Sequence, residues 1–269
     1  MNDPKVGEIL SRYGLDTAKS LGQNFLRDGE VLERIAAAAC PAGRILEIGA
    51  GIGSLTGLLC QGAKQVTTVE IDEKLRPLLT EEVPHPNHRF IWEDILKFDF
   101  TAIEAPFTIV GNLPYYITTD ILMLLFRQMG RWEKAVLMVQ REVADRLLAG
   151  PGSKEYRAAS VILQSFCRGE TLFEVPPHCF YPPPHVHSAV MLLEPKKDRP
   201  DTEGYMKFVQ ACFAARRKML AASPALLQLL HIDKNRMIST LSEAGLPQNS
   251  RAEAFTPEEF QRLYKLCTK

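Results

Sequence analysis

Short runs of β-branched and aliphatic residues alternate with stretches whose apolar positions fall three and four apart. The runs at 44–48, 66–71, 89–92, 107–110 and 135–139 read as strands, and 54–61, 72–79 and 118–129 as helices between them. Strand, helix, strand in this order builds a mostly parallel sheet with helices on both faces. Two later runs, 169–175 and 188–193, flank a proline-rich loop and predict an antiparallel edge. Beyond Pro195 the pattern changes. Residues 196–201 are polar with a proline and read as a linker. The stretches 203–213, 216–230, 234–244 and 257–266 have helical spacing and no strand among them. The expected organisation is an α/β domain over residues 1–195 and a small all-helical domain over 196–269. Residues before about Asp28 are expected to form an arm packed on the first domain.

Composition narrows the class. The 269 residues carry 32 Lys+Arg and 32 Asp+Glu, so bulk positive charge is not what would hold a nucleic acid. From Glu194 onward there are 13 basic and 9 acidic residues, which makes this the basic end. The six cysteines are scattered with no CxxC pair, the first ten residues lack an apolar signal core, and no apolar run approaches the roughly 18 residues of a membrane helix. Reduced thiols in a cytoplasmic protein are expected. His178, Cys179, His185 and His187 share one loop, but their spacing matches no zinc pattern and no metal is expected.

Two segments carry candidate chemistry. Leu46-Glu47-Ile48-Gly49-Ala50-Gly51-Ile52-Gly53 follows the first strand of the sheet and opens a helix. Glycines there let the backbone turn sharply and approach a ligand. Glu70 ends the next strand 21 residues after Gly49, where an acid can grip ribose hydroxyls. A nicotinamide dehydrogenase would share these features, but the spacing is G-x-G-x-G and not G-x-G-x-x-G. Asp94, at the end of the third strand, could accept an adenine amino group while Ile95 covers the ring.

The second segment is Gly111-Asn112-Leu113-Pro114-Tyr115-Tyr116-Ile117-Thr118. The Asn112 side-chain oxygen and the Leu113 carbonyl can accept the two N–H bonds of an exocyclic adenine amine. They would hold its lone pair toward a methyl donor, so catalysis would be mainly orientation and electrostatics. Tyr115 can stack on a base removed from its helix. The alternative reading of this segment is a plain strand-to-helix turn with Pro near the helix start and Thr118 or Thr119 capping it.

These motifs, in this order, resemble the ribosomal RNA adenine dimethyltransferases of the KsgA type. Lys19-Ser20-Leu21-Gly22-Gln23-Asn24-Phe25-Leu26, Gln140-Arg141-Glu142-Val143-Ala144-Asp145-Arg146-Leu147 and Phe180-Tyr181-Pro182-Pro183-Pro184-His185-Val186-His187-Ser188-Ala189-Val190 extend the resemblance over nearly the whole chain. It implies a Rossmann-like sheet binding S-adenosyl-L-methionine and a small C-terminal helical domain contacting RNA. By resemblance, Asn24 and Leu26 would line the methionine end of the donor site. Gly49, Gly51, Glu70, Ile71, Asp94, Ile95 and Asn112 would complete it. Asn112 and Leu113 would hold the target amine, and Tyr115 and Phe180 would sandwich the adenine. The implied substrate is a pair of adjacent adenosines near the 3′ end of 16S rRNA in an immature small ribosomal subunit, met by a monomer. The chain departs from the family pattern at Arg157, His187 and Ala222, and keeps a basic Arg216-Arg217-Lys218 stretch as a candidate phosphate-binding face. Two other readings share part of this evidence: a 23S rRNA adenine methylase of the resistance type, and a mainly non-catalytic ribosome assembly factor.

Overall fold

The computed structural model describes residues 6–16, 23–215 and 218–268, of Thr202 the backbone only. Residues 19–22 of the arm motif, and Arg216 and Arg217 of the basic stretch, lie outside the described residues.

The elements up to Pro195 are α1 (Val6–Arg12), β1 (Phe25–Leu26), α2 (Gly29–Ala39), β2 (Ala42–Ile48), α3 (Ser54–Gly62), β3 (Ala63–Glu70), α4 (Arg76–Glu82), β4 (His88–Trp92), β5 (Phe107–Asn112), α5 (Thr118–Arg127), β6 (Trp132–Gln140), α6 (Arg141–Leu148), α7 (Ala158–Phe166), β7 (Cys167–Val175), β8 (Phe180–Tyr181) and β9 (Ser188–Pro195). Then follow α8 (Thr202–Phe213), α9 (Pro224–Leu230), α10 (Lys234–Glu243) and α11 (Pro257–Cys267).

Seven strands form one sheet in the order β4-β3-β2-β5-β6-β9-β7. Strands β4, β3, β2, β5 and β6 are parallel, and β9 runs antiparallel to β6, as the sequence pattern predicts. Successive residues Ile45 and Leu46 of β2 are both fully buried, so both faces of the sheet are covered. That is why its strands read as continuous apolar runs instead of alternating ones. On one face, Leu32 and Ile35 of α2 and Leu55 and Leu59 of α3 join Ile45, Val66, Val110 and Val136 in one apolar cluster. The chain leaves β2 for β3 and β4 on one side, then returns to β5 on the other. This reversal opens a crevice at the carboxyl ends of β2 and β5.

Two arm segments pack on this sheet domain. Val6 and Leu10 of α1 share an apolar cluster with Leu75, Leu78, Leu79 and Val83. Strand β1 pairs with β8, Phe25 opposite Tyr181 and Leu26 opposite Phe180.

The chain divides into two compact units, Met1–Arg141 with Glu170–Pro195, and Glu142–Gly169 with Lys196–Lys269. The second unit therefore includes residues 142–169, which lie before the expected boundary at Pro195. The physical reason is α7, whose Val161, Ile162, Leu163 and Phe166 are all fully buried. Around it, the Tyr156 hydroxyl donates to the Phe255 carbonyl at 2.9 Å, and the Ser165 and Tyr205 hydroxyls meet at 2.7 Å. Periodicity also overextends one helix. Of the stretch expected over 216–230, the described residues form a short 3₁₀ turn at Leu220–Ala222 and then α9, which starts at Pro224. Proline lacks an N–H and is suited to the first helical position.

Candidate functional site

A cavity of about 240 Å³ opens where the strand ends meet the arm. Asn24, Leu26, Gly49, Gly51, Glu70, Ile71, Asp94, Ile95, Asn112, Leu113 and Tyr115 all line it. Of the residues expected at the site from sequence, Phe180 does not.

The glycine loop forms one wall. Gly49 has φ +77°, and a Cβ there would meet nothing within 4 Å, so the open space beside the backbone is available to a ligand. Gly51 has φ +56°, and a Cβ there would come within 3.0 Å of the Phe25 ring. The loop is tied to the next strand through Glu70, which is 6% exposed. Its Oε2 accepts from the Gly51 N–H at 3.3 Å and its Oε1 from the Asp72 N–H at 2.9 Å. Burial pushes the Glu70 carboxyl up, and the backbone donors of Asp72, Gly51 and Ala50 act against that. Three donors on two oxygens leave one lone pair for a hydroxyl.

Beneath the loop, Glu47 is fully buried. Its Oε2 accepts from the Thr56 and Thr68 hydroxyls at 2.8 and 2.7 Å, while Oε1 is buried with no hydrogen-bond partner among the described residues. Burial is the main cause that pushes this carboxyl up to about 7. The Thr68 hydroxyl also lies 2.8 Å from His88 Nε2, an imidazole that burial lowers to about 4.

Asp94 lies just past the end of β4. Its Oδ1 accepts from the Leu96 N–H at 2.9 Å, which caps the turn, while the residue still lines the cavity. Beside it Ile95 is buried, and Ile71 is half exposed on the opposite strand end.

The end of β5 supplies polar acceptors. Asn112 Nδ2 donates to the main-chain oxygen of Asn24 at 3.1 Å. A carbonyl can only accept, so this bond fixes which way the amide points and leaves Oδ1 as the acceptor that Asn112 brings to the cavity. The Leu113 N–H donates to the Met138 carbonyl at 3.0 Å, and no described residue takes up the Leu113 carbonyl. The Pro114 carbonyl is occupied within the turn by the Ile117 N–H at 3.2 Å and the Thr118 hydroxyl at 3.0 Å. Helix α5 starts after Ile117 with no side-chain cap, and the Thr118 hydroxyl bonds back to Pro114 instead of capping the helix. Tyr115 is half-buried, its hydroxyl 2.7 Å from Ser188 Oγ, and burial pushes the phenol up, so it is neutral at physiological pH.

Phe180 departs from expectation. It is 1% exposed and belongs to the apolar cluster that holds Leu26, Leu32 and Ile35, behind the cavity lining. Pairing of β8 with β1 turns it inward, whereas its neighbour Tyr181 is exposed. An aromatic in a proline-rich loop reads as available, and its side of a two-residue strand cannot be read from sequence.

Sequence reasoning missed several contributors. Leu32 and Ile35 of α2 reach the cavity, as does the exposed ring of Tyr116. Gln23 Nε2 donates to Asp72 Oδ2 at 2.8 Å, linking the arm to the strand end that carries Glu70. Ser188 was visible only as part of the proline-loop motif.

Residues 14–269 match the family model described as ribosomal RNA adenine dimethylase. The chain is 40% identical to the ribosomal RNA small subunit methyltransferase A of Lachnoclostridium phytofermentans, over 98% of this chain and 96% of that one. It is likewise 40% identical to the protein of that name from Ligilactobacillus salivarius, over 100% and 96%. Among solved structures, a dimethyladenosine transferase from Plasmodium falciparum superposes with a TM-score of 0.78 at 25% identity, covering 89% of this chain and 95% of that one. The 23S rRNA methyltransferase ErmE superposes with a TM-score of 0.69 at 29% identity, covering 91% and 100%. A match this long to the family model, on a glycine-loop cavity that carries the Asn112–Tyr115 segment, shows that the chain belongs to the ribosomal RNA adenine dimethylase family.

Proposed function

We propose that this protein transfers methyl groups from S-adenosyl-L-methionine to N6 of two adjacent adenosines near the 3′ end of 16S rRNA, giving N6,N6-dimethyladenosine. The substrate is an immature small ribosomal subunit, and the enzyme acts as a cytoplasmic monomer. The observation that carries this reading is the Asn112 amide, held by Asn24 with its oxygen left to the cavity.

The residues present fit the donor. Open space beside Gly49 receives it, Glu70 retains a lone pair for a ribose hydroxyl, and Asp94 retains one carboxylate oxygen for an adenine amine. Ile71 and Ile95 give the ring apolar cover, and Asn24 and Leu26 border the methionine end. When bound, the donor supplies an electrophilic methyl group on a cationic sulfur. Asn112 Oδ1 and the Leu113 carbonyl accept the two N–H bonds of the target amine and direct its lone pair into the cavity. No side chain there needs to act as a strong base, because the amine loses its proton after it has been alkylated. The stacking face for the extracted base is Tyr115. Phe180 supports the wall behind it in place of the expected second side of a sandwich.

The test is methyl transfer from labelled donor to unmodified small and large subunits, followed by nucleoside analysis. Dimethyladenosine in 16S rRNA is expected. The likeness to ErmE favours a second reading, methylation of 23S rRNA, and label in 23S rRNA alone would establish it. Loss of methylation in Asn112→Ala with undiminished subunit maturation would make binding the main role.

A further inference from the structure

We infer that Ser188 is a positioning residue for base recognition: its hydroxyl fixes where the Tyr115 ring projects before the RNA arrives. This rests on the reading of Tyr115 as the stacking face for the target adenine.

The geometry begins with backbone register. Strand β9 pairs antiparallel with β6, and its first residue, Ser188, stands opposite Gln140, the last residue of β6. The Arg141 N–H donates to the His187 carbonyl at 2.9 Å and closes this end of the ladder. Strand β6 also pairs with β5, Met138 opposite Asn112. Three strand ends thereby bring residue 188 beside the segment that follows Asn112, although 73 residues separate Ser188 from Tyr115.

Ser188 is fully buried, and a hydroxyl in that position is costly without a partner. Its recorded side-chain bond is to the Tyr115 hydroxyl at 2.7 Å. Tyr115 is consequently held at both ends. Its backbone lies in the turn closed on the Pro114 carbonyl, and its phenol is tied to Ser188. A tyrosine side chain has two main torsions, and holding its hydroxyl oxygen, which lies on the axis of the second, restrains the first and so sets where the ring stands. Ordering before binding reduces the cost of capturing the base. The tie also gives the proline loop between β8 and β9 a role in the site, since Ser188 is where that loop rejoins the sheet.

The experiment measures methylation kinetics on unmodified small subunits for the wild type, Ser188→Ala, Tyr115→Phe, the double variant and Tyr115→Ala. Ser188→Ala and Tyr115→Phe should each lower kcat/KM for the subunit about two- to tenfold, the range set by one net hydrogen bond. KM for the donor should stay unchanged. The double variant should be no worse than either single one, because both remove the same bond. A residue that only supports the fold would give additive losses and would disturb the donor site as well. Wild-type kinetics in Ser188→Ala, or additive losses in the double variant, would overturn the inference. Tyr115→Phe tests it even where Ser188→Ala does not fold, and wild-type kinetics there would also overturn it. Tyr115→Ala separates the two levels. If it loses methylation, the reading of Tyr115 stands whatever happens at Ser188. If it methylates like the wild type, that reading fails and the inference with it.

Discussion

Asn112 and Asn24 are joined by a single hydrogen bond, from the amide nitrogen of one to the main-chain oxygen of the other at 3.1 Å. The bond spans 88 residues of sequence and makes the arm responsible for the orientation of a strand-end side chain. Asn112→Asp keeps the size of the side chain but turns the donor into an acceptor facing the Asn24 oxygen. Methyl transfer should fall by about a hundredfold or more, the scale of losing one preorganised polar group. Circular dichroism should show the fold intact, and single-turnover assays should place the loss in the chemical step.

Glu70 closes the glycine loop through the Gly51 and Asp72 N–H groups. Glu70→Ala frees both donors and removes the acceptors for a ribose. Affinity for S-adenosyl-L-methionine, measured by calorimetry, should fall about ten- to a hundredfold, as expected for hydrogen bonds to a charged group. RNA affinity should change little.

Glu47 makes stability depend on pH. Its carboxyl is raised from 4.5 to about 7 in the folded protein, so the folded state holds a proton that the unfolded state has released across that window. Its contribution to stability is greatest below pH 4.5 and is lost as the pH rises through about 7. Glu70, also raised by burial, acts in the same direction. His88, lowered to about 4, acts in the opposite direction below 6.5. Glu47→Gln removes the first contribution alone. Its thermal stability relative to the wild type should therefore rise between pH 5 and pH 8, by on the order of 3 kcal/mol at full deprotonation. A pH-independent difference between the two melting profiles would contradict this.

In the helical unit, the buried Tyr156 hydroxyl donates to the Phe255 carbonyl at 2.9 Å. Tyr156→Phe leaves that carbonyl without its side-chain donor and should cost about 1–3 kcal/mol in urea denaturation. Donor affinity should be unaffected.

The parallel alternation of the sheet, its antiparallel edge and the strand-end residues of the cavity were legible from local pattern. Residues Gly49, Glu70, Asp94 and Asn112 each stand at a strand end, and strand ends in an α/β chain converge on one edge. A side chain's place on that edge follows from where its strand stops, which the apolar run records. The helices at 141–148 and 158–166 were harder to see. Each is short, eight or nine residues, and α7 carries a run of four buried residues, Ser160–Leu163, that does not read as a one-faced stripe.

Sequence by itself determined the alternating strands and helices of the sheet, the chemistry of the loops at the strand ends and the membership of a family, because these depend on residue types at short separations. Tertiary structure alone decided that Phe180 faces the core, that residues 142–169 join the C-terminal helices, that Asn24 orients Asn112 and that Ser188 meets Tyr115. Each of these is a contact between segments far apart in the chain. Such contacts are selected by register, burial and the need of buried polar groups for partners, and none of those is a property of a local stretch of residues.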